Sequence, residues 1–161
     1  MASELATELF DLYRSRPRVA LLMSGLGSNA LAILAKDELR DLYDITTLVS
    51  DNSSSNATSI AQSHRLDLIS AHKERFHHST ERERYFTELV QQLGSRGVQG
   101  VVYAGFMKIT PTDFTRKFPG INIHPANLQV SGDDGLPRYR GMKALSAMRA
   151  ELGYVQSSVH I

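Results

Sequence analysis

The sequence predicts an α/β protein built on a mainly parallel sheet with helices on both faces. Three observations lead there. Short runs of apolar and β-branched residues recur at 18–23, 45–49, 66–70 and 98–103. Stretches with apolar residues at helical spacing separate them. Gly, Asn, Asp and Ser cluster at the joints, as turns require. Repeated strand-helix-strand units of this kind lay successive strands side by side in one direction.

The elements follow in order. Residues 1–17 carry acidic side chains and an amphipathic pattern (Leu5, Leu9, Leu12, Tyr13), so an N-terminal helical extension is expected. This segment lacks the basic start and apolar centre of a signal peptide. A strand at 18–23 is followed by a helix over 28–39, with Leu31, Ile33 and Leu34 at helical spacing. A β-branched strand at 45–49 leads through the polar turn 51–55 into a helix over 57–64. After a short strand at 66–70 comes a His- and Arg-rich connection. The next helix, 80–93, faces inward with Tyr85, Phe86, Leu89, Val90 and Leu93, and Gly94 and Gly97 are expected to end it. The apolar run Val101-Val102-Tyr103-Ala104-Gly105-Phe106-Met107 reads as a buried strand continuing 98–103. Pro119-Gly120 is a turn into a further extended segment, and Ser131-Gly132-Asp133-Asp134-Gly135 reads as an exposed, flexible loop.

Composition bounds the function. A chain of 161 residues fits one domain, 1–161, with no internal repeat or linker. Its hydrophobic content of 42% and charged content of 22% are those of a soluble globular protein. The 18 basic and 17 acidic residues nearly cancel, which argues against a nucleic-acid or membrane surface. No apolar run approaches bilayer length. The absence of cysteine excludes disulfides and fits the cytoplasm.

Two segments carry chemistry. Ser24-Gly25-Leu26-Gly27-Ser28-Asn29 lies between the first strand and first helix, at the sheet end where such folds bind ligands. Glycines allow a tight turn, and the backbone N–H groups of a helix start attract an anion such as phosphate. Ser28 is expected to add a hydroxyl and to cap the helix. Gly25-x-Gly27-x-x-Ala30 also fits the dinucleotide fingerprint, with Asp51 where a ribose-binding acid belongs. The polar Ser28-Asn29 pair tips the reading mildly toward a monophosphate. The second segment is Asn122-Ile123-His124-Pro125. In an extended chain Asn122 and His124 point to the same side, placing a carboxamide donor beside an imidazole. That pair suits a reaction through a tetrahedral oxyanion: the amide donates to the developing charge, and the imidazole donates to it or shuttles a proton.

The chain resembles the glycinamide ribonucleotide transformylases, folate-dependent formyltransferases. The likeness runs in order through Ser24-Gly25-Leu26-Gly27-Ser28-Asn29, Arg82-Glu83-Arg84-Tyr85, Ala104-Gly105-Phe106-Met107-Lys108-Ile109 and Asn122-Ile123-His124-Pro125. It ends with Leu136-Pro137-Arg138-Tyr139-Arg140-Gly141 and Ser157-Ser158-Val159-His160. The resemblance implies a Rossmann-like fold and formyl transfer from 10-formyltetrahydrofolate, a co-substrate, to the amine of a ribonucleotide in purine biosynthesis, without a metal. By the same resemblance Asn122 holds the formyl oxygen and His124 stabilises the oxyanion. Gly27, Ser28 and Asn29 bind the substrate phosphate, Gly105 and Met107 line the cleft, and Arg82, Met107, Lys108, Ile109 and Thr110 contact the folate.

The chain departs from that family in several places. Lys108 stands where Arg is usual and Ala126 where Ser is usual. The connection from Phe118 to Asn122 is shorter by about two residues, and 129–135 reads as an insertion. The chain ends at Ile161, before the loop in which the family carries a catalytic Asp. A C-terminally truncated domain with impaired activity is therefore expected.

Plainer readings stand beside these. His72, His77 and His78 read as a solvated turn rather than a metal cluster. Arg82, Arg84, Glu81 and Glu83 read as a solvated helix face, and 51–55 as a turn and helix cap. Met107, Met142 and Met148 read as core packing. Three other functions stay open: formyl transfer to a nucleotide sugar or aminoacyl-tRNA, a non-catalytic folate- or nucleotide-binding homologue, and a nicotinamide oxidoreductase. A monomer and a homodimer are equally compatible with the sequence.

Overall fold

The computed structural model describes residues 15–72, 76–124, 126–140 and 143–160, together with Thr7 and Asp11. The expected N-terminal helix lies almost wholly outside the described residues. Two compact units are present, one reaching to Gly120 and the other spanning Ile121–His160.

The first unit contains four parallel strands in the order β3-β2-β1-β4. They are β1 (Arg18–Met23), β2 (Asp44–Ser50), β3 (Asp67–Ser70) and β4 (Gly100–Tyr103). The helices are α1 (Ser28–Leu34), α2 (Ala57–His64), α3 (Ser79–Ser95) and α4 (Thr112–Lys117). β1 is the central strand, and Val19, Ala20, Leu21, Leu22 and Met23 are all fully buried. Their alternation divides the core. Ala20 and Leu22 join Phe86, Leu89 and Leu93 of α3 and Phe114 of α4 on one face. Leu21 and Met23 join Ala30 and Leu34 of α1 and Ala57, Ile60 and Ala61 of α2 on the other. A strand with both faces covered must be apolar throughout, which is why β1 reads as an unbroken apolar run. The parallel α/β architecture expected from the sequence is the one observed.

Three boundaries differ from expectation. The helix predicted over 28–39 stops at Leu34, and a 3-10 turn at Asp37–Asp41 follows. Residues 35–38 are exposed, so no burial rewards continuing the helix. α3 runs through Gly94, and Gly97, at φ +67°, ends it. There the Val98 N–H donates to the Leu93 carbonyl, closing the last turn. The third difference matters for function. β4 ends at Tyr103, and Ala104 to Met107 form a loop rather than a strand. Gly105 adopts φ +86°, a left-handed conformation that breaks an extended chain. The six residues of α4 were not legible as a helix, since Phe114 is their one buried side chain.

In the second unit β5 (Gly120–His124) pairs antiparallel with β6 (Ser158–His160). Asn122 lies opposite His160, and His124 opposite Ser158. A small core joins Ala126 and Tyr139 to Ala144 and Met148 of α5 (Ala144–Leu152), with Val130 packed against it. The segment 129–135 is mostly exposed, as expected, and closes on itself. Ser131 bridges Pro137, the Gly132 N–H donates to the Leu136 carbonyl, and Asp134 pairs with Arg140 at 2.6 Å.

Candidate active site

The glycine loop leaves the carboxyl end of β1. Gly27, not Ser28, is the N-cap of α1; Ser28 is the first helical residue and its hydroxyl makes no capping bond. The Gly27 carbonyl accepts the first helical hydrogen bond, from the Leu31 N–H at 2.8 Å. The N–H groups of the residues between have no acceptor within the helix, and Ser28 and Asn29 are exposed, as an anion site requires. Gly27 itself is buried at φ +85°, and a Cβ there would lie 2.4 Å from Ile60 Cδ1. The glycine is thus demanded twice, by conformation and by space.

Two asparagines that the sequence pattern did not single out hold this loop. Asn52 Nδ2 donates to the Ser24 carbonyl at 2.9 Å, and Asn56 Nδ2 to the Leu26 carbonyl at 3.3 Å. Both belong to the loop after β2, where a turn and helix cap were expected. The turn is present, but Asn56 caps α2 without a side-chain bond. Repeated Asn and Ser at a strand end was the available signal.

Gly105 and Met107 come from the loop after β4 and meet the glycine loop directly. The Ser24 N–H donates to the Gly105 carbonyl at 3.1 Å, and the Met107 N–H to Ser24 Oγ at 2.8 Å. A Cβ on Gly105 would stand 3.7 Å from Asn29 Nδ2. Met107 is half exposed, which corrects its reading as core; Met148 is buried, and Met142 lies outside the described residues.

The residues assigned to folate divide. Ile109 is largely exposed, and Thr110 accepts a hydrogen bond from the Tyr103 hydroxyl at 3.5 Å. Lys108 is drawn inward: Nζ lies 3.4 Å from Asp51 Oδ2 and 5.5 Å from the centre of the Phe76 ring. The Asp51 side chain is only 3% exposed, so it does not present the open carboxylate that a ribose would need. That removes the support for the dinucleotide reading. Arg82 is half buried rather than solvated, and its Nε has no hydrogen-bond partner among the described residues. The same holds for Asp51 Oδ1 and the Tyr85 hydroxyl. Of the histidines read as a solvated turn, His77 and His78 are exposed, His78 is the N-cap residue of α3, and the His77 N–H donates to Glu81.

Burial, and then the charge of Asp51, push the Tyr85 hydroxyl well above the usual phenol range. The folded protein therefore holds that proton more tightly than the unfolded chain. The stability this contributes is complete below about pH 10 and is lost as pH rises beyond it. Tyr85→Phe should lessen the alkaline loss of stability. At pH 7 it should be neutral or stabilising by up to about 1 kcal/mol, since a buried hydroxyl without a partner is removed. Urea denaturation at pH 7 and pH 10.5 reads both effects, and a large loss at pH 7 would contradict them.

In the second unit Asn122 and His124 occupy the same face of β5, both half buried, with exposed Ile123 between them. His124 Nε2 lies 2.9 Å from the Tyr139 carbonyl. A carbonyl only accepts, so Nε2 carries the proton and Nδ1 keeps the lone pair. Tyr139 is buried in the small core, which fixes the carbonyl in place. Pro125 lies outside the described residues, and the side chain of His160 is not described.

The chain matches the Formyl transferase family over residues 17–152. It is 32% identical to the trifunctional purine biosynthetic protein adenosine-3 of Drosophila pseudoobscura pseudoobscura, over 88% of this chain and 10% of that protein. It is 30% identical to the chloroplastic phosphoribosylglycinamide formyltransferase of Vigna unguiculata, over 84% of this chain and 42% of that protein. The crystal structure of glycinamide ribonucleotide transformylase 1 from Symbiobacterium toebii superposes with a TM-score of 0.70 at 25% identity. That match covers 89% of this chain and 65% of the other. The chain thus spans less than half the length of either curated relative.

Proposed function

Because this chain belongs to the formyl transferase family, we propose that it transfers a formyl group from 10-formyltetrahydrofolate to the amine of glycinamide ribonucleotide, a step of purine biosynthesis. The observation that carries the reading is the direct bonding of the glycine loop to the loop of Gly105 and Met107, through Ser24. On this reading the helix start that takes the anion and the loop that lines the cleft are tied together by these bonds. Ser28 and Asn29, with the Gly27 turn behind them, hold the phosphate. The segment from Met107 to Thr110, in which Met107 and Ile109 are exposed, takes the folate together with Arg82.

Two side chains carry the chemistry. The substrate amine attacks the formyl carbon, and the carbonyl oxygen becomes an oxyanion. Asn122 donates its carboxamide N–H to that oxygen. His124, held by the Tyr139 carbonyl through Nε2, uses Nδ1 to accept a proton from the attacking amine. The resulting imidazolium donates to the oxyanion. As the intermediate collapses, the C–N bond to the folate breaks, and the proton passes to the departing nitrogen. An amide-like carbonyl and a neutral amine need orientation and charge stabilisation, and these groups supply both.

Within the described residues no helix is long and apolar enough to cross a membrane. Small soluble substrates and a cysteine-free sequence fit a cytoplasmic enzyme.

The test is an assay of the purified protein with both substrates, following formylated product. Aminoacyl-tRNA and an amino nucleotide sugar serve as competing acceptors, and turnover confined to either would overturn the choice of acceptor. Binding of both substrates without turnover would overturn catalysis. In an active protein, Asn122→Ala should lower kcat by roughly 10²–10³-fold, with KM for the ribonucleotide little changed, because the lost bond forms to the oxyanion.

A further inference from the structure

Three strand-end loops of the first unit are joined in a closed ring. From the loop after β2, Asn52 donates to the Ser24 carbonyl in the loop after β1. Ser24 Oγ receives the Met107 N–H, and the Ser24 N–H donates to Gly105, both in the loop after β4. Lys108, next to Met107, pairs with Asp51, next to Asn52, and so returns to the starting loop. Ser24 spends its N–H, its carbonyl and its hydroxyl on this ring. It is not among the residues assigned to either ligand, yet it bonds the loop assigned to phosphate to the loop assigned to folate.

We infer that Ser24 is a positioning residue that couples the two substrates: fixing the glycine loop with phosphate orders the Met107 loop for folate, and folate does the same in return. The inference rests on the formyl-transfer reading of the two loops. A ligand shifts an equilibrium only through its different affinity for the two states, and here the states are ring closed and ring loosened. In the closed ring the Met107 N–H is held by Ser24, which fixes the course of the loop from Met107 onward relative to the glycine loop, so each ligand binds the arrangement that favours the other. Linkage then requires the two affinities to rise by the same factor. The Asp51–Lys108 pair closes the ring, and opening it leaves a buried carboxylate without its cation, which is costly.

Inorganic phosphate is the probe, since it occupies the substrate's anion site without reacting. Calorimetry gives the Kd of 10-formyltetrahydrofolate with and without saturating phosphate. In the unaltered protein, phosphate should tighten folate binding by about fivefold or more, the lower end of ordinary coupling between sites. Ser24→Ala keeps both backbone bonds and removes only the acceptor of the Met107 N–H. It should bind each ligand alone and bring the coupling below about twofold. Ser24→Thr keeps the hydroxyl and should keep the coupling, which a merely space-filling role would not require. Should Ser24→Ala fail to fold, Asp51→Asn opens the ring at its ionic link and carries the same expectation. Both ligands binding the unaltered protein independently, or full coupling in Ser24→Ala, would overturn the inference alone. Failure of the unaltered protein to bind either ligand would overturn the formyl-transfer reading and this inference with it.

Discussion

Replacing His124 by alanine is expected to lower kcat for formyl transfer by roughly 10²–10⁴-fold, the usual contribution of a positioned acid-base group. Stability should change little. The side chain is half buried at the end of β5, and its hydrogen-bond partner is the Tyr139 carbonyl. Losing one such bond costs about 1 kcal/mol. The KM values should stay near those of the parent, because in the proposed mechanism Nδ1 serves the reacting proton and not the phosphate or the folate ring. Steady-state kinetics with thermal unfolding separates the two effects. A variant retaining more than about a tenth of the parental kcat would remove His124 from the chemistry. Asn122 would then have to stabilise the oxyanion without an imidazole beside it.

Gly27→Ala is expected to have the largest effect on folding. The residue sits at φ +85°, where an L side chain costs about 1–2 kcal/mol. The new Cβ would also lie 2.4 Å from Ile60 Cδ1 and 3.0 Å from Met23 Cε. Both neighbours are core residues, Met23 fully buried and Ile60 nearly so, and overpacking of that kind costs about 1–3 kcal/mol. Together the two costs amount to roughly 2–4 kcal/mol, with strain not strictly additive to overpacking. The substituted loop should also lose affinity for phosphate, since the N–H groups that follow Gly27 would turn with it. Gly25→Ala is the internal comparison. Gly25 has no positive φ, and a Cβ added there would meet nothing within 4 Å, so alanine should stay within about 0.5 kcal/mol. Urea unfolding of the two variants decides. Equal stabilities would show that the fit around Gly27 is looser than these distances require.

Much of this was legible in the chain, and the reasons are physical. β1 reads as a strand because both its faces are covered, so each of five successive side chains had to be apolar. α2 was placed to the residue, since a polar turn precedes it and Arg65, at φ +55°, ends it after a short amphipathic run. The stretch from Ala104 to Met107 misled for a related reason. Its residues are apolar because Ala104 and Phe106 are buried, but burial in a loop and burial in a strand leave the same composition. The conformation of Gly105 decides between them, and a glycine does not announce its φ. Ser28 misled as a cap for a similar reason: Gly27 takes the cap position because Met23 and Ile60 leave no room for a side chain.

The sequence by itself determined the parallel α/β frame, the glycine turn after β1 and the shared face of Asn122 and His124. Each follows from local rules of period, turn chemistry and strand alternation, which act between residues near in the chain. Tertiary structure alone decided which groups remain available to a substrate. Lys108 and Asp51 lie 57 positions apart and pair only because β2 and β4, on either side of β1, end at the same edge of the sheet. The Tyr139 carbonyl selects the proton-bearing nitrogen of His124 from 15 positions away. Ser24 binds loops that neither its neighbours nor its residue type could have named. Charge state, tautomer and hydrogen-bond partner are properties of what lies close in space, and only the folded chain brings those groups together.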